Sequence, residues 1–468
     1  MLTQKNRLSY LKTFQVYAIF PPKISAIGDV TMKHFSDPVF RCSATGDSMI
    51  TRRLPLDGEY DGFREVKDFI MQADFRFGNL ETTVHNFESC GGAQSGGSWL
   101  CSPPGVLDDL KKFGMNILST ANNHALDYSY DGLEKTLQYL EKADYPFTGT
   151  GRNLADASKP VYIDTLSGRY ALIACTMSFN PENMAGTQTA NLPGRPGVNG
   201  IRVNKKYHLP KEEMEHLKRI AAALEINAHD EIIRAEGYLP QLKDSEQPFG
   251  KYMFEAADKA EIISTVHPDD MKRIEDAIAE ARFMADYVVV AMHTHEICGK
   301  SKETVDPVSL EFSRKCIDSG ADAVIGTGPH LLRPMEIYKG KPIFYCLGDF
   351  IIQLETILRA PDGMFAKQKL NGNDRLDVLF NTRSNFGKRG LSYDPIMYES
   401  VIPYWEVEHG ELTKMTFLPI EEMFALPRSR GGWPKKNTQV NIIERFAEMC
   451  KPFGMDIVVE NGLGVVKL

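Results

Sequence analysis

Two periods of apolar and polar residues alternate along this chain. Short runs of apolar, β-branched and aromatic residues recur, each closed by a polar or glycine-rich loop. Seven of them read as strands: 42–47 (CSATGD), 74–81 (DFRFGNLE), 116–124 (NILSTANNH), 170–179 (YALIACTMSF), 286–296 (DYVVVAMHTHE), 322–328 (DAVIGTG) and 341–351 (KPIFYCLGDFI). Between them lie segments with apolar residues three and four apart, as in 105–114 and 130–143, which predict helices. Strand alternating with helix predicts an α/β domain whose sheet is largely buried.

Two stretches break the rhythm. Residues 181–285 open on a Pro/Gly/Asn-rich segment and then turn strongly helical, which predicts a helical insertion over the open end of the domain. Its His208, His216, His229 and His267 are expected at the surface. Residues 354–400 are irregular and rich in Asn, Arg and Gly, as lids and binding loops often are. Residues 401–420 read as two strands joined at His409-Gly410, and 425–468 as a helix followed by a hairpin around Asn461-Gly462. At the other end, an apolar patch from Phe14 to Phe20 contains Gln15, stops at Pro21-Pro22 and lacks a small-residue cleavage site. It reads as a docking arm or first strand, not a secretion signal. The resulting division is an arm over 1–40, a main domain over 41–424 and a tail over 425–468.

Composition narrows the partners. A net charge of −8 argues against nucleic acid, whose phosphates require clustered Lys and Arg. No run approaches the ~18 consecutive apolar residues of a membrane span. The eight cysteines form no CxxC pair, so reduced thiols and a cytoplasmic location are expected. Only Cys90 and Cys101, flanking a Gly/Ser-rich loop, are expected to be exposed.

The chemistry gathers just past the C-terminal ends of the strands, where open α/β sheets place their ligands. Five clusters stand there: GDSM (46–49), GNLE (78–81), ANNHALD (121–127), HTHE (293–296) and GTGPH (326–330). They offer carboxylates, amides and imidazoles, the ligand types of divalent first-row metals. Singly they have plainer readings. A Gly-Asp pair is usually a turn, and Asn122-Asn123-His124 can cap a helix. His293 and His295, two apart on an extended segment, leave on the same face, and burying two imidazoles together without purpose is costly. His330 follows Gly326 and Gly328, where backbone can approach a ligand closely. Asp127 is either a partner of His124 or a helix N-cap. Arg333 is either an anion clamp or half of a surface ion pair. The conjunction of five clusters in one sheet predicts a single site.

The order of these motifs, ending in GTGPHLLRPMEIYKGKPIFYCLGDFI (326–351), resembles the CapA-like family, named for poly-γ-glutamate capsule synthesis. The likeness spans 41–180 and 286–424. It implies a two-sheet α/β sandwich flanked by helices, similar to the calcineurin-like metallophosphatases. It also implies one or two divalent ions (Mn, Zn, Fe or Mg) between the sheets. Metal ligation would fall to Asp47, to Asn79 or Glu81, and to Asn123, His293 and His330, with His124 as proton donor. Three departures from the phosphoesterase pattern stand out. Met49 occupies the place of a second first-strand His, Thr327 stands where many relatives carry His, and GNLE replaces a bridging Asp. His295 and Glu296 supply extra groups, and Thr327 joins Arg333 as a candidate substrate contact.

The resemblance implies a metal-dependent hydrolase of a phosphoester, ester or amide bond, including a γ-glutamyl bond, in a small-molecule or peptide substrate. One alternative is an accessory protein of poly-γ-glutamate capsule synthesis. Another is a peptide epimerase, with His124 and either His295 or Glu296 as opposed bases and Asp127 behind His124.

Overall fold

The computed structural model describes residues 39–55, 59–391 and 393–468. The run FRCSATGDSM forms the strand Phe40–Met49, buried from Cys42 onward, at the centre of a ten-stranded mixed sheet. Parallel to it on one side runs Phe75–Leu80, followed by Ile117–Ser119 and Phe147–Thr148. On the other side Glu399–Glu408 and Glu411–Glu421 run antiparallel, and the hairpin Ile457–Glu460/Leu463–Val466 extends the sheet.

A second sheet has six strands, in the order Leu332–Tyr338, Lys341–Leu347, Ala323–Thr327, Tyr287–His293, Gly168–Thr176, Val161–Thr165. Its four inner strands are parallel. The two sheets share a core: Cys42, Phe75, Phe77 and Trp405 from the first meet Tyr170, Tyr287, Val289 and Ile325 from the second. Along YVVVAM alternate residues point the other way. Val288, Val290 and Met292 pack with Ile274, Ile278 and Phe312 of the helices Pro268–Met284 and Pro307–Asp318. That explains the unbroken apolar run, since a parallel strand covered on both faces needs no polar side.

The chain changes sheet at Gly348. Lys341–Leu347 belongs to the six-stranded sheet, whereas Asp349–Ile352 pairs in parallel with Phe40–Met49 and sets Asp349 opposite Asp47. The crossing needs Gly348 at φ 82, a left-handed conformation. It also needs Gly46, where a Cβ would collide with the Gly348 carbonyl that accepts the Asp47 N–H at 3.1 Å. The single strand expected over 341–351 is therefore two.

Other expectations shift as well. The strand begun at 116 ends at Ser119 and the one begun at 286 ends at His293, because the polar motifs that follow are loops. Residues 181–285 are not simply helical. Val203–Leu209, Glu246–Phe249, Tyr252–Ala256 and Glu261–Val266 form their own four-stranded sheet, beside the helices Lys211–Leu224 and Ala228–Ala235. These strands are only half-buried and carry Lys, Glu and Gln among their apolar residues, so their pattern is faint. The tail has the expected helix, Asn441–Cys450, and hairpin, but both complete the main domain. The segment 354–400 holds the helices Asp362–Ala366 and Leu376–Ser384, whose Met364, Phe365, Leu379 and Phe380 pack with Trp99 and Met49. The expected N-terminal arm lies almost wholly outside the described residues, and Phe40 already opens the first strand.

All eight cysteines are free. Cys90 is exposed as expected, but Cys101 is buried, its thiol directed to the His85 carbonyl at 3.3 Å. Among the described residues no helix is long and apolar enough to cross a membrane.

Glu422, just past Glu411–Glu421, is fully buried and neither carboxylate oxygen has a hydrogen-bond partner. Burial, reinforced by Asp349 and Glu399, pushes its carboxyl well above the usual range. The folded chain therefore holds a proton that the unfolded chain releases from about pH 4.3 upward, and stability falls as pH rises through that window. Glu422→Gln is expected to raise Tm by about 1–3 °C at pH 8 and to change it little at pH 4. Calorimetry at both pH values measures the difference.

Candidate metal centre

The strand ends of both sheets converge on one point. Asp47 lies where the pairing with Phe75–Leu80 shifts register, and Asn79 is its cross-strand partner. Asn79 donates to Asp47 Oδ1 at 2.6 Å and the Gly328 N–H donates to Oδ2 at 2.8 Å. From the second sheet, His293 Nδ1 stands 3.6 Å and His330 Nδ1 3.9 Å from the same carboxylate. His330 has a positive φ of 60, which turns its ring inward toward Asp349, 2.9 Å from Nδ1.

Glu81, one residue past its strand, sits among three imidazoles. Its Oε1 is 3.7 Å from His293 Nε2, 3.9 Å from His124 Nε2 and 4.0 Å from His330 Nε2. It is fully buried, and neither oxygen has a hydrogen-bond partner. The His295 ring lies 5.2 Å from that of His293 and 5.3 Å from that of His330. Asn123 Oδ1 faces both, 2.7 Å from His293 Nε2 and 3.3 Å from His295 Nε2.

These residues fit a divalent cation. Three overlapping sets, Asp47/Glu81/His293, Asp47/His330/Asp349 and Glu81/His295/His330, each bring their ligand atoms within 4.8 Å of one another. Nitrogen and carboxylate oxygen at such spacing suit an ion that binds each at about 2.0–2.2 Å. A buried carboxylate with no donor is costly unless a cation or proton meets it, and Glu81 is such a group.

The electrostatics of the bare protein agree. Burial, then Asp47 and Asp349, push the Glu81 carboxyl well above its usual range. Burial raises Asp349 to about 6 against the opposing pull of His330. Asp47 goes the other way: burial would raise it, but His293, His330 and the Asn79 amide together outweigh that and hold it low. Burial depresses His293, and depresses His295 further with the help of His293 and His330, so both favour the neutral form that binds metal.

A family model described as "Bacterial capsule synthesis protein PGA_cap" matches residues 23–354. The chain belongs to this family. It is 30% identical over 450 residues to the uncharacterized protein y4sH of Sinorhizobium fredii, covering 92% of this chain and 93% of that one. To the PGA biosynthesis protein CapA of Bacillus subtilis it is 24% identical over 396 residues, 82% of this chain and 84% of the other. A probable polyglutamine synthesis accessory protein of Mycobacterium tuberculosis matches at 25% over 284 residues, 60% of this chain and 56% of that one.

Within this member of the capsule synthesis family, the expected residues divide. Asp47, Asn79, Glu81, Asn123, His124, His293, His295 and His330 come together. Asp127 is next to His124, its Oδ2 2.6 Å from Nδ1, and also accepts N–H groups from Gly96 at 2.8 Å and Leu100 at 2.7 Å. Its helix-capping alternative fails, because the helix Ser129–Lys142 begins from Tyr128 with no side-chain cap. Thr327 does not face a substrate: it is buried and its hydroxyl lies 2.9 Å from His293 Nδ1, holding that ring. Glu296 turns to an ion pair with Lys205 at 2.6 Å.

Arg333 is the clearest correction. It is 1% exposed, and its guanidinium donates to the Lys302 carbonyl at 2.8 Å and the Glu296 carbonyl at 2.7 Å, with Asp306 at 3.4 Å. An Arg so engaged braces a loop and has no fork left for an anion. His295 also arrives differently from expectation, since the strand ends at His293 and the loop is held by the His295 N–H donating to Ser178 Oγ at 2.7 Å.

Two residues were given no role in the site by the sequence reading. Asp349 stands in LGDF, a second Gly-Asp pair after a strand, which was the available signal. Asn122 ties the loop down, its Oδ1 accepting the His124 N–H at 3.1 Å and its Nδ2 donating to the Leu80 carbonyl at 2.8 Å.

Proposed function

We propose that this chain is a metal-dependent hydrolase of the capsule synthesis family, cleaving an ester, phosphoester or amide bond, with a γ-glutamyl amide the favoured substrate. The observation that carries the reading is Glu81, a carboxylate buried without a donor amid three imidazoles. The paired sheets with a ligand-rich end support the calcineurin-like metallophosphatase comparison. The names of the relatives, PGA biosynthesis protein and synthesis accessory protein, favour a glutamyl polymer. Eight free thiols support a cytoplasmic location.

Asp47, Glu81, His293, His330 and Asp349 would hold the ion, with Asn123 and His295 at its margin. When bound, a divalent ion polarises a carbonyl or phosphoryl oxygen and makes water more acidic. The chain's own contribution centres on His124. Asp127, fixed by two backbone N–H groups, accepts a hydrogen bond from Nδ1–H and so favours that tautomer, leaving Nε2 directed at the centre. From there Nε2 can deliver a proton to a leaving group or take one from water. Thr327 at Nδ1 or Asn123 at Nε2 would orient His293 through whichever ring nitrogen does not meet the ion.

A non-catalytic accessory role in capsule-polymer synthesis is the second reading, favoured by the same relatives' names. The epimerase alternative loses one of its expected bases, because Glu296 is paired with Lys205. Elemental analysis of purified protein, then assay against phosphoester, peptide and poly-γ-glutamyl substrates, separates these. The proposal expects stoichiometric divalent metal and turnover of one class. Metal-free protein, or full capsule-polymer function in a His124→Ala variant, rules for the accessory role. Solvent-deuterium uptake without cleavage rules for epimerisation.

A further inference from the structure

His293 and His295 reach the centre from different kinds of backbone. His293 ends a strand that is paired on both sides, opposite Thr176 on one neighbour and Thr327 on the other. His295 lies two residues further, in a loop outside the strand ladder. The candidate ligand sets divide the same way: His293 belongs with Asp47 and Glu81, His295 with Glu81 and His330. An ion at the second set depends on whatever holds the loop.

Three separate segments hold it. Thr176 Oγ1 accepts the Ser178 N–H at 3.0 Å and donates to the Ser178 carbonyl at 3.1 Å, which closes a tight turn past the strand end. Ser178 Oγ in turn accepts the His295 N–H at 2.7 Å. The next residue, Glu296, gives its carbonyl to the buried Arg333 at 2.7 Å and its carboxylate to Lys205 at 2.6 Å. Lys205 comes from Val203–Leu209, a strand of the sheet inside 181–285. The inserted sheet therefore touches the site loop one residue from a candidate ligand.

We propose that Ser178 and Lys205 are positioning residues that set the affinity of the Glu81/His295/His330 set for a divalent ion, so that the inserted sheet tunes it through Lys205. This rests on the metal centre of the proposed function but not on turnover. The two braces differ physically. The Ser178 bond is neutral, fixes the ligand's own backbone and is insensitive to salt. The Lys205–Glu296 pair is partly solvated, so it contributes less and is screened.

The test is calorimetric titration of metal-stripped full-length protein with Mn, with Tm as a check on folding. Wild type is expected to bind two ions, the second more weakly. Ser178→Ala should weaken the second about 10-fold at low and high salt alike and leave the first unchanged. Ser178→Thr, which keeps the hydroxyl, should stay within about 3-fold of wild type. Lys205→Ala should weaken the second ion about 3-fold at low salt, with the loss vanishing at high salt. Lys206→Ala, next along the strand and paired with Glu255 at 3.0 Å, should bind as wild type. A merely structural role would lower Tm and leave the second affinity alone, and that overturns the proposal. So does equal weakening of both ions, or a wild type that binds a single ion. A wild type that binds no ion sinks the metal centre as well. Two ions with the expected losses, but no turnover of any substrate class, sink the hydrolase reading alone.

Discussion

His124→Ala is expected to keep its metal and lose about 10²–10⁴ in turnover, the usual scale of general acid–base help. The geometry separates His124 from the ligands. Its Nδ1 is committed to Asp127 at 2.6 Å, and its Nε2 lies 3.9 Å from Glu81. It belongs to none of the three candidate ligand sets. His330, by contrast, is in two of those sets and touches Asp349. His330→Ala should therefore lose metal and turnover together. Asp127→Asn adds a finer test. The amide keeps the shape but no longer enforces the Nδ1–H tautomer, so turnover should fall while metal content stays. Metal content by elemental analysis and turnover on the same preparations decide the matter. A metal-free His124→Ala protein would make His124 a ligand and move the proton donor to His295.

The site was more legible in the sequence than the fold around it, for a physical reason. Carboxylate, amide and imidazole groups at strand ends are chemically conspicuous, so the clusters holding Asp47, Asn79 and Glu81, His124, His293 and His330 stand out by residue type and position, while their individual roles came from the family resemblance. Asp349 offered only the signal of a second Gly-Asp pair, because its role depends on the chain switching sheets at Gly348, and nothing in PIFYCLGDFI marks that its two halves join different sheets. Roles that depend on direction were also hidden. Arg333 and Thr327 sit within a few residues of His330, but which way a side chain points depends on packing, and both point into the protein. The four-stranded sheet within 181–285 was masked by the stronger periodicity of Lys211–Leu224 and Pro268–Met284. Local pattern reports amphipathic helices well. It reports poorly on half-buried strands whose partners are as distant along the chain as Val203 and Val266, which pair across this sheet.

The second large effect is expected at Glu81, and it has opposite signs for function and stability. Glu81→Gln should abolish tight metal binding and turnover, since the amide brings no charge to the centre. In metal-free protein the same change should stabilise. The folded-state pKa of Glu81 is raised by burial and by Asp47 and Asp349, so the folded chain holds a proton that the unfolded chain gives up from about pH 4.3. Its contribution to stability is whole below that pH and is lost as pH rises toward the folded pKa. Metal reverses the balance, because ligation takes the ionised carboxylate and compensates its burial. At pH 8, then, apo Glu81→Gln should melt roughly 2–6 °C above apo wild type, the two converging near pH 4. Wild type with metal at about 100 times its Kd should gain roughly 2.7 kcal/mol, and the variant nothing. Calorimetry of both proteins with chelator and with Mn or Zn, at pH 4 and pH 8, gives all the comparisons. An apo wild type more stable than Glu81→Gln at pH 8 would mean that the chain itself compensates the carboxylate, and the principal reason for placing a cation there would be gone.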